Sequence, residues 1–460
     1  MKKIIGTLVP LSAIYSKQDN QHDQGTLKSA MVFLDWLKKT GQSAWQLLPL
    51  YTTQLEPGSS MKRVPSPYKS YGIGLDPKYL SFDFAKNIPS GNQLKDFIIE
   101  NSDWIDDYAL FSALANYFKT DDWRLWDDNV KNRDAKALNI WRIKLKDEIH
   151  QHIVIQWQLH QAYQQLKNKA DKLGIILIGD LPFYLSICSP LVWAFQNIFQ
   201  LEKDGKMKNV SGSPDYEKEL FGRQIWGHPL YNWKDASNNK PIIDFWKIRL
   251  SYMAQLYNFI RFDHAKGFYQ FGSIDLTDKN NDNYEKGPGE SVLAELINFA
   301  KEKNVTCFVE DCGRNVQELR QSMDKLNISG IKIFRFAYIK NINYLDKEYA
   351  DVRYYPINSI AYTTIHDTET LLGNLIELTA EQKKVLAGTA SVRYDADDKV
   401  LAKRIRNAVI ASPARIINIP IQDWLLTTDR INIPGTETPI NDPNWHYKLK
   451  VPIEELPTSF

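Results

Sequence analysis

NFIRFDHAKG, residues Asn258–Gly267, is the stretch on which the fold turns. Arg261 alone interrupts its apolar run, which closes on Asp263 and His264 ahead of a glycine. A run this short, bounded in this way, reads as a buried strand whose last residues emerge into solvent. Two later stretches follow the same rule. TCFVEDCG (Thr306–Gly313) closes on Glu310, and IAYTTIHDTE (Ile360–Glu369) closes on His366 and Asp367. Moving outward, β-rich apolar runs recur at Thr7–Ile14, Ser43–Leu50, Ile175–Asp180, Phe259–Asp263, Thr306–Glu310, Gly330–Tyr338, Ser359–Asp367 and Arg415–Gln422. Amphipathic stretches such as Lys28–Lys39, Glu290–Lys303 and Val316–Lys325 lie between several of them and read as helices. Strands alternating with helices imply a parallel sheet, and eight repeats predict an α/β fold, the (β/α)8 TIM barrel. The rival is an open doubly wound sheet, which calls for a glycine-rich phosphate loop after the first strand. No such loop follows the first run.

The spacing between runs is uneven. Thr53–Leu173 separates the second run from the third, and reads as helical over Asp103–Phe118 and Trp141–Lys172. Pro182–Ser251 separates the third from the fourth, with Gly, Pro, Asp and Trp in loop-like order. Insertions at strand C-termini build the walls of a barrel's cleft. The expectation is one catalytic barrel over residues 1–460, with excursions at about 53–173 and 182–251 as subdomains around that cleft.

Charge and composition narrow the partners. Lys and Arg number 57 against 55 Asp and Glu, a net charge of +2, with no basic stripe of the kind nucleic-acid binding needs. No apolar run reaches the roughly 18 residues that a membrane span requires. The start, MKKIIGTLVPLSAIYS, superficially resembles a signal peptide, but Gly6 and Pro10 interrupt its apolar stretch and no small-x-small cleavage site follows. It reads better as a first strand. Cys188, Cys307 and Cys312 make no disulfide framework, which points to a reducing compartment. Cys307 and Cys312 flank Glu310 without histidine partners, so no metal site is predicted. The 13 tryptophans serve core packing on one reading, and stacking against the apolar faces of sugars on the other.

Carboxylates at the ends of successive parallel strands stand where a barrel places its catalytic groups. Three of them, with Arg261, His264 and His366 beside them, suit chemistry at a sugar's anomeric carbon. Retaining glycoside chemistry needs a carboxylate nucleophile and a carboxylic acid roughly 5–5.5 Å apart. Arg261 lies two residues before Asp263, hence on the same strand face, where its charge would keep Asp263 ionised. Glu310 has the opposite requirement, since an acid must hold its proton, and the apolar run Cys307–Val309 would raise its pKa. Alternation alone leaves Glu310 and Asp311 as alternatives. It also aims His366 and Asp367 differently, unless the strand ends between them. Three functions fit such a site: a transferase, in which a sugar captures the glycosyl-enzyme; a hydrolase, which admits water; and a glucan-binding protein without turnover.

The chain resembles the 4-α-glucanotransferases, the amylomaltases or disproportionating enzymes of the α-amylase clan. GTLVPLSAI, WLKKTGQSAWQLLPL, SPYKSYGIGLDP (Ser66–Pro77), Gly179-Asp180-Leu181-Pro182, QIWGHPLYNW, RFDHAKGF, the Gly287–Gly289 turn, VEDCG, HDTET, IPIQDW, INIPGT and Asn444-Trp445 carry the resemblance, in order, through nearly the whole length. It implies that Asp263 is the nucleophile, Glu310 the acid/base and Asp367 the transition-state stabiliser. Arg261, His366 and Asp180 match the family's supporting positions around the cleaved sugar, and Tyr68, Gln224 and Trp226 its glucan-contacting positions. It further implies transfer of α-1,4-glucan segments between maltooligosaccharides, with no metal or organic cofactor, in the cytoplasm or a plastid, of which the cytoplasmic setting is the expectation here. The sequence departs from the family's pattern at Thr368 after the His-Asp pair, at His228, in the lengthened loop Ser213–Trp226 with Glu217 after Tyr216, and across Ser70–Asp76.

Overall fold

Short strands that are apolar on both faces need cover on both sides, which a parallel sheet wrapped by helices provides. The computed structural model describes residues 3–19, 24–214, 222–233, 239–313, 315–339 and 344–460. The eight strands are β1 (Ile4–Leu8), β2 (Ala44–Gln46), β3 (Ile176–Leu181), β4 (Phe259–Phe262), β5 (Thr306–Val309), β6 (Gly330–Ile333), β7 (Ser359–Tyr362) and β8 (Ile416–Pro420). All ladder pairs are parallel, in the order β5-β4-β3-β2-β1-β8-β7-β6. The seam between β5 and β6 is drawn together by Val309 N–H to Ser329 O at 3.0 Å and Ile331 N–H to Asp311 Oδ1 at 2.8 Å. The sheet is thus a nearly closed barrel, filled by Leu8, Ile178, Phe308, Ile331, Ile333, Ile360 and Tyr362.

Helices wrap it: α1 (Leu27–Lys39), α2 (Ile105–Phe118), α3 (Lys146–Leu173), α4 (Asn239–Leu256), α5 (Glu290–Glu302), α6 (Gln317–Leu326) and α7 (Asp398–Ala411). Capping sets their ends. The Thr26 side chain accepts from the N–H groups of Lys28 and Ser29 at the start of α1, and Gly174 closes α3 in the left-handed region at φ 69°. No helix among the described residues is long and apolar enough to cross a membrane.

Strand register fixes the mouth of the barrel. Asp180 lies opposite Arg261, and Phe308 lies opposite Arg261 from the other side. The ladder runs one step further, with Asp263 N–H bonded to Leu181 O at 3.1 Å and Glu310 N–H to Phe262 O at 3.0 Å. Gly179 is required here, because a Cβ would stand 2.3 Å from the ring of buried Tyr257.

Several expected strands are shorter than the apolar runs that announced them. The first covers Ile4–Leu8, not Thr7–Ile14, because Pro10 has no N–H to donate and Leu11–Ala13 forms a 3-10 turn. The seventh stops at Tyr362 instead of Asp367, and the sixth at Ile333 instead of Tyr338. The eighth gives way after Pro420 to a helical turn, Ile421–Leu425. The stretch 182–251 is also more ordered than its loop-like composition suggested. Asn209–Ser213 and Gln224–Ile225 join Gln270–Asp275 and Asn283–Lys286 in a four-stranded sheet, antiparallel at each ladder. From residue 239 onward the chain is already α4, which buries Ile242, Phe245, Trp246, Arg249, Leu250 and Met253 at helical spacing. Pro241 sits in its first turn, where a proline is tolerated. The departure at Tyr216 and Glu217 lies outside the described residues.

Candidate active site

The residues following β3, β4, β5 and β7 converge at the C-terminal mouth, on an open cavity of about 290 Å³. Asp263, Glu310, Asp367, Tyr68, Gln224 and Trp226 line it, together with Ser66, Lys69, Tyr184, Asn432, Glu437 and Trp445. Asp180, Arg261 and His366 stand behind the wall, each no more than 3 % exposed.

Arg261 is the hub. Its Nη1 donates to Asp180 Oδ2 at 2.6 Å, while Nη2 lies 2.9 Å from Glu310 Oε2 and 3.0 Å from Asp263 Oδ1. Because both carboxylates touch one nitrogen, those two oxygens are within about 6 Å of each other, nearer the close spacing of retaining enzymes than the roughly 6.5–9.5 Å of inverting ones. The Glu310–Asp311 alternative resolves spatially. Glu310 faces the cavity, whereas Asp311 turns into the β5–β6 seam and binds Arg320 Nε at 3.0 Å and the Ile331 N–H.

His366 and Asp367 share one side because β7 has ended by Tyr362. Thr368 closes the turn that follows, its N–H bonded to Ile365 O at 3.1 Å and its Oγ1 accepting from Ile365 N–H at 3.1 Å. Asp367 Oδ2 lies 3.2 Å from His366 Nε2, and its Oδ1 accepts from Asn432 Nδ2 at 2.7 Å. The Tyr68 hydroxyl donates to Asp180 Oδ2 at 2.8 Å and sits 3.0 Å from His366 Nε2, with the two rings stacked. Trp445 backs this pair from the C-terminal segment. Trp226 stands on the edge of the four-stranded sheet, its Nε1–H bonded to Gln224 Oε1 at 2.9 Å. His228 is part of the packed wall, stacked on Tyr184 and bonded to Leu185 O. Burial, then Lys69, lowers its pKa to about 3, so it is neutral.

The electrostatics reverse one expectation. Burial raises Asp263, and repulsion from Glu310, Asp180 and Asp367 adds to it, so its carboxyl is held well above the usual range despite Arg261. Burial also works to raise Glu310, but Arg261 and the His264 N–H outweigh it and lower its pKa. The sequence predicted an ionised Asp263 and a protonated Glu310. The physical reason for the difference is that Glu310 adds the His264 N–H to its share of Arg261, whereas Asp263 has burial and three neighbouring acids set against that same guanidinium. Asp367 is lowered to about 2: burial opposes ionisation, but His366 and the Asn432 hydrogen bond prevail. Among the described residues, no group of three or more His, Cys, Asp or Glu side chains could hold a metal ion.

Sequence reasoning did not assign Asn432, Trp445, Lys69 or Glu437 to the site. The first two belong to INIPGT and Asn444-Trp445, stretches whose order was legible but whose contact with strand ends distant in sequence was not. Comparison with known proteins identifies the family and the fold. The 4-alpha-glucanotransferase family profile matches residues 9–90 and 78–454. A 4-alpha-glucanotransferase of Aquifex aeolicus is 29% identical over 461 residues, covering 92% of this chain and 91% of that protein. One of Clostridium butyricum is 27% identical over 475 residues, covering 92% of each. Among solved structures, an amylomaltase from Streptococcus agalactiae in complex with acarbose superposes with a TM-score of 0.83 at 24% identity, covering 98% of this chain and 95% of that one.

Proposed function

This chain belongs to the 4-alpha-glucanotransferase family, and from that premise we propose that Asp263, Glu310 and Asp367 carry out its transfer chemistry. The reaction moves α-1,4-glucan segments between maltooligosaccharides. Asp263 attacks the anomeric carbon while Glu310 protonates the departing glycosidic oxygen, leaving a glycosyl-enzyme. Glu310, now a base, removes the proton from the acceptor's hydroxyl, whose oxygen displaces Asp263 and restores the original anomeric configuration. Asp367, kept ionised by His366 and Asn432, offsets the positive charge that grows on the sugar ring. The observation that carries this reading is that Asp263 and Glu310 lie on one nitrogen of Arg261. The pair needs one proton between them. It has to reside on Glu310 for the first displacement.

Tyr68 forms the floor under the cleaved sugar, with Asp180, Arg261 and His366 supporting it from behind. Gln224 and Trp226 offer the acceptor a wall. The excursions at about 53–173 and 182–251 act as the walls of a single catalytic unit. The three free cysteines suit a cytoplasmic setting. Incubation with maltotriose tests the reading. A ladder of longer maltooligosaccharides plus glucose is expected, and products that are only shorter would make the enzyme a hydrolase. Asp263→Asn should abolish covalent trapping by a fluorinated glycosyl donor, and Glu310→Gln should slow turnover roughly 10²–10⁴-fold. Near wild-type turnover in either variant ends the assignment.

A further inference from the structure

We propose that His264 is a positioning residue: its left-handed backbone aims its N–H at Glu310, and its ring seats Trp226. The proposal rests on Glu310 being the acid/base.

His264 takes φ 46° and ψ 42°, a region that residues with a Cβ seldom occupy and that glycine enters freely. The turn directs its N–H to Glu310 Oε2 at 2.9 Å, the same oxygen that accepts from Arg261 Nη2 at 2.9 Å. Both donors therefore hold one oxygen, and Oε1 makes no hydrogen bond among the described residues. A general acid needs this arrangement, with one oxygen anchored and the other free for the glycosidic oxygen.

The imidazole has a separate task. Its ring meets Trp226 edge-on at 4.9 Å and also contacts Tyr184 and Phe183, while its buried Nε2 has no hydrogen-bond partner. Burial, then Lys266, keeps it neutral, with the pKa lowered to about 3. The ring is an apolar wedge and not a proton carrier. A glycine at this position would supply the N–H without seating Trp226, which accounts for a histidine in a glycine's conformation.

Groups facing Glu310 are Arg261, Asp263 and His264 at the end of β4, Asp180 on β3, Tyr362 on β7 and Asp367 after it, and Cys312 after β5. Of these, Arg261 and His264 donate hydrogen bonds to it. Misaiming the His264 N–H must raise Glu310's proton affinity and move the acidic limb of kcat/KM, where the pair takes up its second proton, to higher pH.

Three variants assayed with maltotriose separate the two roles. His264→Val, strained in this conformation, should shift the acidic limb of kcat/KM upward and lower turnover about 10- to 100-fold. His264→Gly keeps the conformation and the N–H, so its limb should stay in place while the share of donor lost to water rises. His264→Ala, smaller but still strained, replaces the valine variant if that one fails to fold. A folded His264→Val or His264→Ala with wild-type limb and turnover overturns the positioning of Glu310. An unchanged transfer-to-hydrolysis ratio in His264→Gly overturns the seating of Trp226. Glu310→Gln separates the underlying assignment: if it stays active, the acid/base identification fails, whereas if it is inactive and the His264 variants are unaltered, the role of His264 alone fails.

Discussion

At the scale of single residues, the site is a problem of too many carboxylates for one cation. Asp263 carries most of the strain, since burial and three neighbouring acids oppose its ionisation. For an acid whose folded pKa is raised, stability falls as pH climbs from the unfolded value, about 3.9, through the folded one. Asp263→Asn keeps the shape and removes the charge. It should therefore raise Tm at pH 7 while abolishing transfer, and the gain should vanish as the pH approaches about 4. A lowered Tm at neutral pH would show that Asp263 is ionised and well compensated. Asp367 behaves in the opposite sense. Its pKa of about 2 depends in part on the Asn432 hydrogen bond, so its ionised form is available well below pH 4. Asn432→Ala should raise that value and move the acidic limb of kcat to higher pH. An acidic limb that stays in place would mean His366 suffices.

At the scale of elements, strand ends matter more than strand lengths. β7 stops at Tyr362, and the turn closed by Thr368 lets two adjacent residues, His366 and Asp367, touch. A strand running on to Asp367 would have sent them to opposite faces. β3 depends on Gly179, which admits the Tyr257 ring at a distance no Cβ could share. Gly179→Ala should destabilise the protein by about 1–3 kcal/mol through overpacking. It should also lower kcat, because Asp180 follows directly and anchors both Arg261 and Tyr68. Thermal denaturation and steady-state kinetics on the same variant check both parts. Full activity with reduced stability would show that β3 absorbs the clash without moving Asp180.

For the whole molecule, the cleft is assembled from segments remote in sequence. Tyr68 comes from the first excursion, Trp226 from the second, and Asn432 and Trp445 from beyond the last strand. All of them meet the strand ends over one cavity. In the proposed mechanism the nucleophile, the proton and the charge stabilisation are all side chains. Transfer activity should persist after exhaustive chelation, and a loss restored by one added metal would contradict this.

The barrel and the identity of its candidate acids were legible in the chain alone. Apolar runs of strand length, closed by Asp180, Asp263, Glu310 and Asp367, are local signals, because burial and alternation act within a few residues. Arg261 and Asp263 share a face for the same reason, and their contact follows from the period of two. Alternation along the strand left Glu310 and Asp311 equivalent, and the fold separates them, because the β5–β6 seam claims Asp311 and leaves Glu310 to the cavity. The competition of three carboxylates for one guanidinium also lay beyond the sequence. A charge shared among Asp180, Asp263 and Glu310 is set by distances between three different strands, and no single stretch of chain contains them.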